Sequence, residues 1–179
     1  EKEKIIGRIH VVAADGRSEP RLFTSNANGE SRPRWSPDGA RLAFVASRSD
    51  NERPQIYMAP AAGGEPTRLT NFENGVSDFV WSPDGRQFAV ISRTGRREDS
   101  SDPLSGVAVI RHADYSQDGR GLLKDQRTHV FVVSVASGAA QQITDGDFDH
   151  SEPAWSPDGK WLAFVSDRTG RAEDGAGNT

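Results

Sequence analysis

Residues 35–48 read "WSPDGARLAFVASR", and the chain writes this phrase three times. It returns at 81–93 as "WSPDGRQFAVISR" and at 155–168 as "WSPDGKWLAFVSDR". From Trp35 to Trp81 is 46 residues, and from Trp81 to Trp155 is 74, longer by 28. One repeat of about 46 residues, with an insertion in a later copy, accounts for both intervals. Each phrase predicts a tight hairpin. Pro37, Pro83 and Pro157 fix φ at the second turn position, and Asp38, Asp84 and Asp158 tolerate the third. Gly39, Gly85 and Gly159 supply the positive φ that closes the turn. Trp35, Trp81 and Trp155 end the preceding strand and are large, flat fillers for a gap between neighbouring sheets. In the strand that follows, Leu42, Phe44, Phe88, Val90, Leu162 and Phe164 mark one buried face by period-two alternation.

The flanks repeat too. "RIHVVAADGRSEPRLFT" (8–24), "QIYMAPAAGGEPTRLT" (55–70) and "HVFVVSVASGAAQQIT" (129–144) each give a strand, a Gly-containing turn and a short strand ending in an apolar residue and Thr. The unit is therefore four short strands with almost no helix signal, the size of a β-propeller blade. The expected divisions are a half blade at 5–24, a full blade at 32–70, a full blade at 77–144 carrying an insertion at 94–127, and a half blade at 151–166. That is about three blades' worth of antiparallel sheet. A closed propeller needs four or more, and open sheet edges invite aggregation. The expected fold is thus an all-β partial propeller that belongs to a larger ring.

Composition removes several functions. Apolar residues make up 34 % of the chain and charged residues 27 %, with a net charge of -4. No basic stripe stands out, so no nucleic-acid partner is expected. The apolar runs are strand-length, too short for a membrane helix. There are no cysteines, which excludes disulfides and thiolate chemistry but leaves the compartment open between cytoplasm and periplasm.

Trp-Ser-Pro-Asp-Gly followed by "LAFVS-R" and "IYM-----GGEPTRLT" resembles the propeller repeat shared by TolB-type proteins and the prolyl oligopeptidase family. It is unlike the WD repeat, whose third strand ends in Trp-Asp where this chain has Ala59-Pro60 and Val135-Ala136. The interrupted blade, with "Y--DGRG-L---R-HVFVV", resembles the acylaminoacyl-peptidase branch. That resemblance implies an α/β-hydrolase domain outside these residues, a peptide substrate, and a propeller that caps the active site and admits short peptides. The hydrolase's Gly-x-Ser-x-Gly elbow is absent here. Ser18 follows Gly16 but precedes Glu19-Pro20, and Ser77 follows Gly75 but precedes Asp78-Phe79. No catalytic residue, metal or cofactor is assigned to the chain. The rival reading is a TolB-like propeller that binds a protein and carries no enzyme. A sugar- or metal-binding propeller enzyme is a weaker third reading, since the inner strands lack clustered histidines or paired carboxylates. Homo-oligomerisation stays open.

Three further features compete for a role. "DGDFDH" (145–150) is acidic, but a calcium loop needs Gly at its sixth position and Glu at its twelfth, where this chain has His150 and Ser156. It reads as a polar loop between blades. His10, His112, His129 and His150 are scattered, and His10 and His129 align nearly together in third strands, which favours structural roles. The insertion balances Arg96, Arg97, Arg111, Arg120, Lys124 and Arg127 against Glu98, Asp99, Asp102, Asp114, Asp118 and Asp125. Arg111, Tyr115 and Arg120 are its candidate peptide contacts, because a guanidinium fork suits a carboxylate. The insertion should open on the end of the propeller opposite the Ser-Pro-Asp-Gly turns.

Overall fold

The computed structural model describes residues 6–95, 116–117, 121–122, 126–166 and 168. All regular structure among them is β-strand: β1 His10–Val11, β2 Arg21–Leu22, β3 Glu30–Trp35, β4 Arg41–Ala46, β5 Gln55–Pro60, β6 Thr67–Arg68, β7 Val76–Trp81, β8 Gln87–Thr94, β9 Ser116–Gln117, β10 Gly121–Leu122, β11 Arg127–Ser134, β12 Ala140–Gln142, β13 His150–Trp155 and β14 Leu162–Ser166. No helix among them is long and apolar enough to cross a membrane. The strands form two four-stranded antiparallel sheets, β3-β4-β5-β6 and β7-β8-β11-β12, flanked by the pairs β1-β2 and β13-β14. The short pair β9-β10 lies within the segment joining β8 to β11. This is an all-β, partial propeller.

The three Trp-Ser-Pro-Asp-Gly turns are copies of one hydrogen-bonded unit. Gly39 N donates to Ser36 O (2.8 Å), Gly85 N to Ser82 O (2.9 Å) and Gly159 N to Ser156 O (2.9 Å). The glycines sit at φ 68°, 70° and 71°, in the left-handed region that favours glycine. The serine, without a role in the sequence reading, ties the turn together. Ser82 Oγ donates to Asp84 Oδ1 (2.6 Å) and accepts from Gln87 N (2.9 Å), while Asp84 Oδ1 also accepts from Arg86 N (3.0 Å). The serine hydroxyl and then the backbone amide hold the carboxyls of Asp38, Asp84 and Asp158 below the usual aspartate range. Successive turns also touch: a Cβ on Gly85 would lie 3.4 Å from Pro37 Cδ.

The second strands depart from simple alternation. Leu42 and Phe44 are buried, but so are Ala43, Val45 and Ala46; Phe88 and Val90 are buried, but so are Ala89 and Ile91. Both faces are covered because each sheet is sandwiched between neighbours. Leu42, Phe44 and Ala46 pack with Ile9 and Tyr57 on one side. Ala43 and Val45 pack with Phe79, Phe88 and Val90 of the next sheet on the other. Small Ala faces one neighbour and large Leu or Phe the other, so the layers interdigitate. By contrast Leu162 and Phe164 in the final pair are only partly covered.

Trp81 fills its seam as expected. Its ring packs 4.2 Å from Phe88, its Nε1 donates to Arg34 O of the preceding sheet (3.1 Å), and the Arg41 guanidinium lies over it at 5.6 Å. Trp35 meets Phe23 edge-on at 6.0 Å yet stays 49 % exposed, because among the described residues the sheet packed against it is the two-stranded pair β1-β2.

In both four-stranded sheets a Thr hydroxyl stitches the end of the fourth strand to the third. Thr70 Oγ1 accepts from Ile56 N and Thr144 Oγ1 from Val130 N, both at 2.9 Å. Phe23 N, Leu69 N and Ile143 N donate to Ile9 O, Ile56 O and Val130 O. These bonds fix the repeat register: Ile9, Ile56 and Val130 are equivalent. His10 therefore matches Tyr57 and Phe131, and His129 matches Gln55. His10 and His129 thus lie two positions apart in the repeat, close but not equivalent.

Candidate functional site

The first strand of each repeat carries a bulge. Pairing slips between Ser31 and Arg34, between Val76 and Asp78, and between Ser151 and Ala154. Arg32 and Glu152 lie within the bulges of β3 and β13, whereas in β7 the extra residue is Ser77 and Asp78 keeps its pairing with Ile91. Arg32 and Glu152 both have φ 53°, uncommon for a residue with a Cβ, and each precedes a proline that disfavours the ordinary helical alternative. The same backbone device thus presents a cation on β3 and an anion on β13. The β3 bulge meets the neighbouring first strand: Arg32 Nη1 lies 3.3 Å and Arg34 Nη2 3.8 Å from Asp78 Oδ1.

A cleft of about 390 Å³ opens beside this bulge, at the strand ends opposite the Ser-Pro-Asp-Gly turns. Asn28, Glu30 and Arg32 line one side, with Val45, Pro54 and Val76 among the apolar lining. Glu30 is buried, and one of its oxygens accepts from the Thr24 hydroxyl. Its Oε1 has no hydrogen-bond partner among the described residues.

At the same end of the next seam, the start of β11 is latched to the loop before β13. Arg127 Nε pairs with Asp147 Oδ1 at 2.8 Å, and Thr128 N donates to Asp149 Oδ1 at 2.8 Å. The Thr128 hydroxyl accepts from His150 N (3.0 Å) and has Asp149 Oδ1 and His150 O within 3.0 Å for its single proton. His129 and His150, 21 residues apart in sequence, meet with ring centroids 5.2 Å apart and planes tilted by 37°. Both are buried. His150 Nδ1 sits 3.0 Å from Thr128 O and its Nε2 3.4 Å from Arg168 Nη2. A carbonyl takes a proton and a guanidinium gives one, so Nδ1 is the protonated nitrogen. Burial first, then the neighbouring His150, holds the His129 imidazole below its ordinary value. Neither ring is exposed to a substrate, so neither is placed to act as a general base. The pairing was hidden in the sequence because the rings meet across a seam.

The remaining candidates sort simply. Ser18 Oγ accepts from Ala13 N (3.3 Å) and Ser77 Oγ donates to Ile91 O (3.1 Å), so both serve the backbone. Among the described residues no group of three or more metal-ligating side chains converges. Arg111, Tyr115 and Arg120 lie outside the described residues.

No family model matches the chain. The uncharacterized peptidase YuxL of Bacillus subtilis (strain 168) is 38 % identical over 155 residues, which cover 79 % of this chain and 23 % of YuxL. The putative TolB from Agrobacterium tumefaciens superposes with a TM-score of 0.60 at 26 % identity, over 89 % of this chain and 45 % of that one. This chain is a partial propeller of TolB-like repeats. Pyrococcus horikoshii acylaminoacyl peptidase has the same fold, with a TM-score of 0.59 at 21 % identity over 79 % of this chain and 21 % of that one. The propeller segment spans under a quarter of the length of YuxL.

Proposed function

We propose that this chain is the non-catalytic propeller portion of a serine peptidase in the prolyl oligopeptidase family. It caps a hydrolase domain carried elsewhere in the protein and restricts entry to short peptides. The observation that supports this most is the 38 % identity to the peptidase YuxL, sustained over 155 residues. The structure is consistent with a passive wall. The serines with a Gly two residues before them hold backbone, and the buried histidines hold each other across a seam. Thr94 and Arg127, the described strand ends that bound the insertion, lie at the same end as the cleft, and in this proposal Arg111, Tyr115 and Arg120 act as peptide contacts.

TolB-type chains match nearly the whole segment, which favours one rival: a propeller that binds a protein and has no enzyme attached. The full-length protein treated with a fluorophosphonate probe separates the two. Stoichiometric serine labelling, with hydrolysis of short peptides but not of a folded protein, is expected. No labelling and no peptide hydrolysis would leave the protein-binding propeller.

A further inference from the structure

We propose that the cleft beside the first bulge binds the C-terminal residue of a peptide, with Arg32 taking the α-carboxylate. This rests on the peptide-handling reading above and adds which end of the peptide the propeller reads.

Three independent observations converge there. The first is unspent positive charge. Arg32 and Arg34 share one carboxylate, Asp78, which also accepts from Phe79 N at 2.9 Å. The Arg32 side chain is 47 % exposed, and a guanidinium has five N–H donors, so most of its fork is free for a second, planar anion. The second is the orphan acceptor. Glu30 stands two residues away, 6 % exposed, with Oε1 lacking a donor among the described residues. A buried carboxylate oxygen without a donor is costly, and a ligand N–H would supply one. The third is shape. A cleft of about 390 Å³ is at the small end of ligand sites, and Val45, Pro54 and Val76 give it an apolar wall.

A peptide's last residue carries these complements on one Cα: a carboxylate for Arg32, an amide N–H for Glu30 and a side chain for the apolar wall. A free inorganic anion uses only the first, and an amine only the second. The bulge explains why the position can be committed to binding. It keeps its left-handed backbone whether it presents Arg32 or Glu152, so the side chain is not needed to build the strand.

The test uses the full-length protein after fluorophosphonate treatment, which silences a hydrolase site if one is present. Calorimetric titration compares acetyl-Gly-Leu with its C-terminal amide and with the N-methyl-leucine acid. The free acid should bind at least tenfold more tightly than the amide. The N-methyl acid, which lacks the N–H for Glu30, should fall between them. Arg32→Asn removes the charge while tolerating a left-handed backbone, and should bind acid and amide alike. Equal binding of acid and amide by the native protein, no binding of either, or preserved discrimination in Arg32→Asn would overturn the proposal. The ligand comparison stands if the variant fails to fold. Failure of serine labelling would strike the peptidase reading and leave the titration to judge the cleft.

Discussion

Replacing Thr70 with Val should loosen the third strand of the first complete blade at one identifiable amide. The swap keeps shape and removes one hydroxyl. That hydroxyl accepts from Ile56 N at 2.9 Å and donates to Gln55 Oε1 at 2.8 Å. Thr70 is 2 % exposed, so water does not replace what is lost. Gln55 Oε1 keeps a second donor in Phe72 N (2.9 Å), but Ile56 N–H is left without its partner in a buried setting. An orphaned buried donor costs about 1–3 kcal/mol. A middle value of about 2 kcal/mol corresponds to roughly 30-fold faster opening, at 1.36 kcal/mol per factor of ten. Amide hydrogen exchange of the segment containing Ile56 reads this directly, and does not require the whole protein to unfold in one step. Thr70→Ser retains the hydroxyl and should exchange within about threefold of the native protein. The reasoning fails if Thr70→Val leaves Ile56 exchange unchanged, or if Thr70→Ser accelerates it as much as Val does.

Two further outcomes follow from other seams. His129 is held below its ordinary value by burial and by His150, with Asp145 and Asp149 pulling the other way. The unfolded chain therefore binds a proton more readily, so the stability His129 contributes is full above about pH 6.5 and is lost as pH falls through the depressed folded value. His129→Gln, which installs the residue found at the equivalent Gln55, should remove that part of the acid sensitivity when melting is compared at pH 7.5 and pH 5.5. Gly138→Ala should lower the melting temperature sharply, by about 2 kcal/mol or more in stability. Gly138 has φ +71°, and a Cβ there would lie 2.5 Å from Leu69 O of the neighbouring sheet; unchanged melting would show that the two sheets separate freely at that turn.

What the sequence reveals depends on how far apart the interacting groups lie. The Ser-Pro-Asp-Gly hairpins were legible because their bonds close within five residues, from Ser36 to Arg41. Their threefold recurrence carried the fold class. Burial on both faces of β4 and β8 was not legible. Ala43 and Ala89 look like neutral positions until neighbouring sheets cover them. The His129–His150 contact was hidden for the same reason, while the aligned third strands already set His129 against Gln55, with His10 two residues further along. The backbone bonds from Phe23, Leu69 and Ile143 to Ile9, Ile56 and Val130 fix that register. The cleft was missed because Arg32 and Glu30 carry no motif. Their signal lies in a bulge of the first strand, whose Ser-x-Pro spelling recurs at Ser31 and Ser151 but not at Ser77.

The blade is the unit of sequence repetition, but it is not the unit of chemical dependence. Each joint uses a Thr, at Thr70 or Thr144, then specialises the groups around it. One joint closes with Gln55 reaching Phe72, and the next with His129 against His150. The specialised partners straddle the boundary between one blade and its successor. A whole blade copied or exchanged during evolution would carry half of each joint and abandon the other half. A recombination point placed within a sheet, between its second and third strands, would keep the joints whole. Exchange between related propellers should therefore be tolerated best when the cut passes through the middle of a blade, where the shared bonds are backbone to backbone and indifferent to side-chain identity.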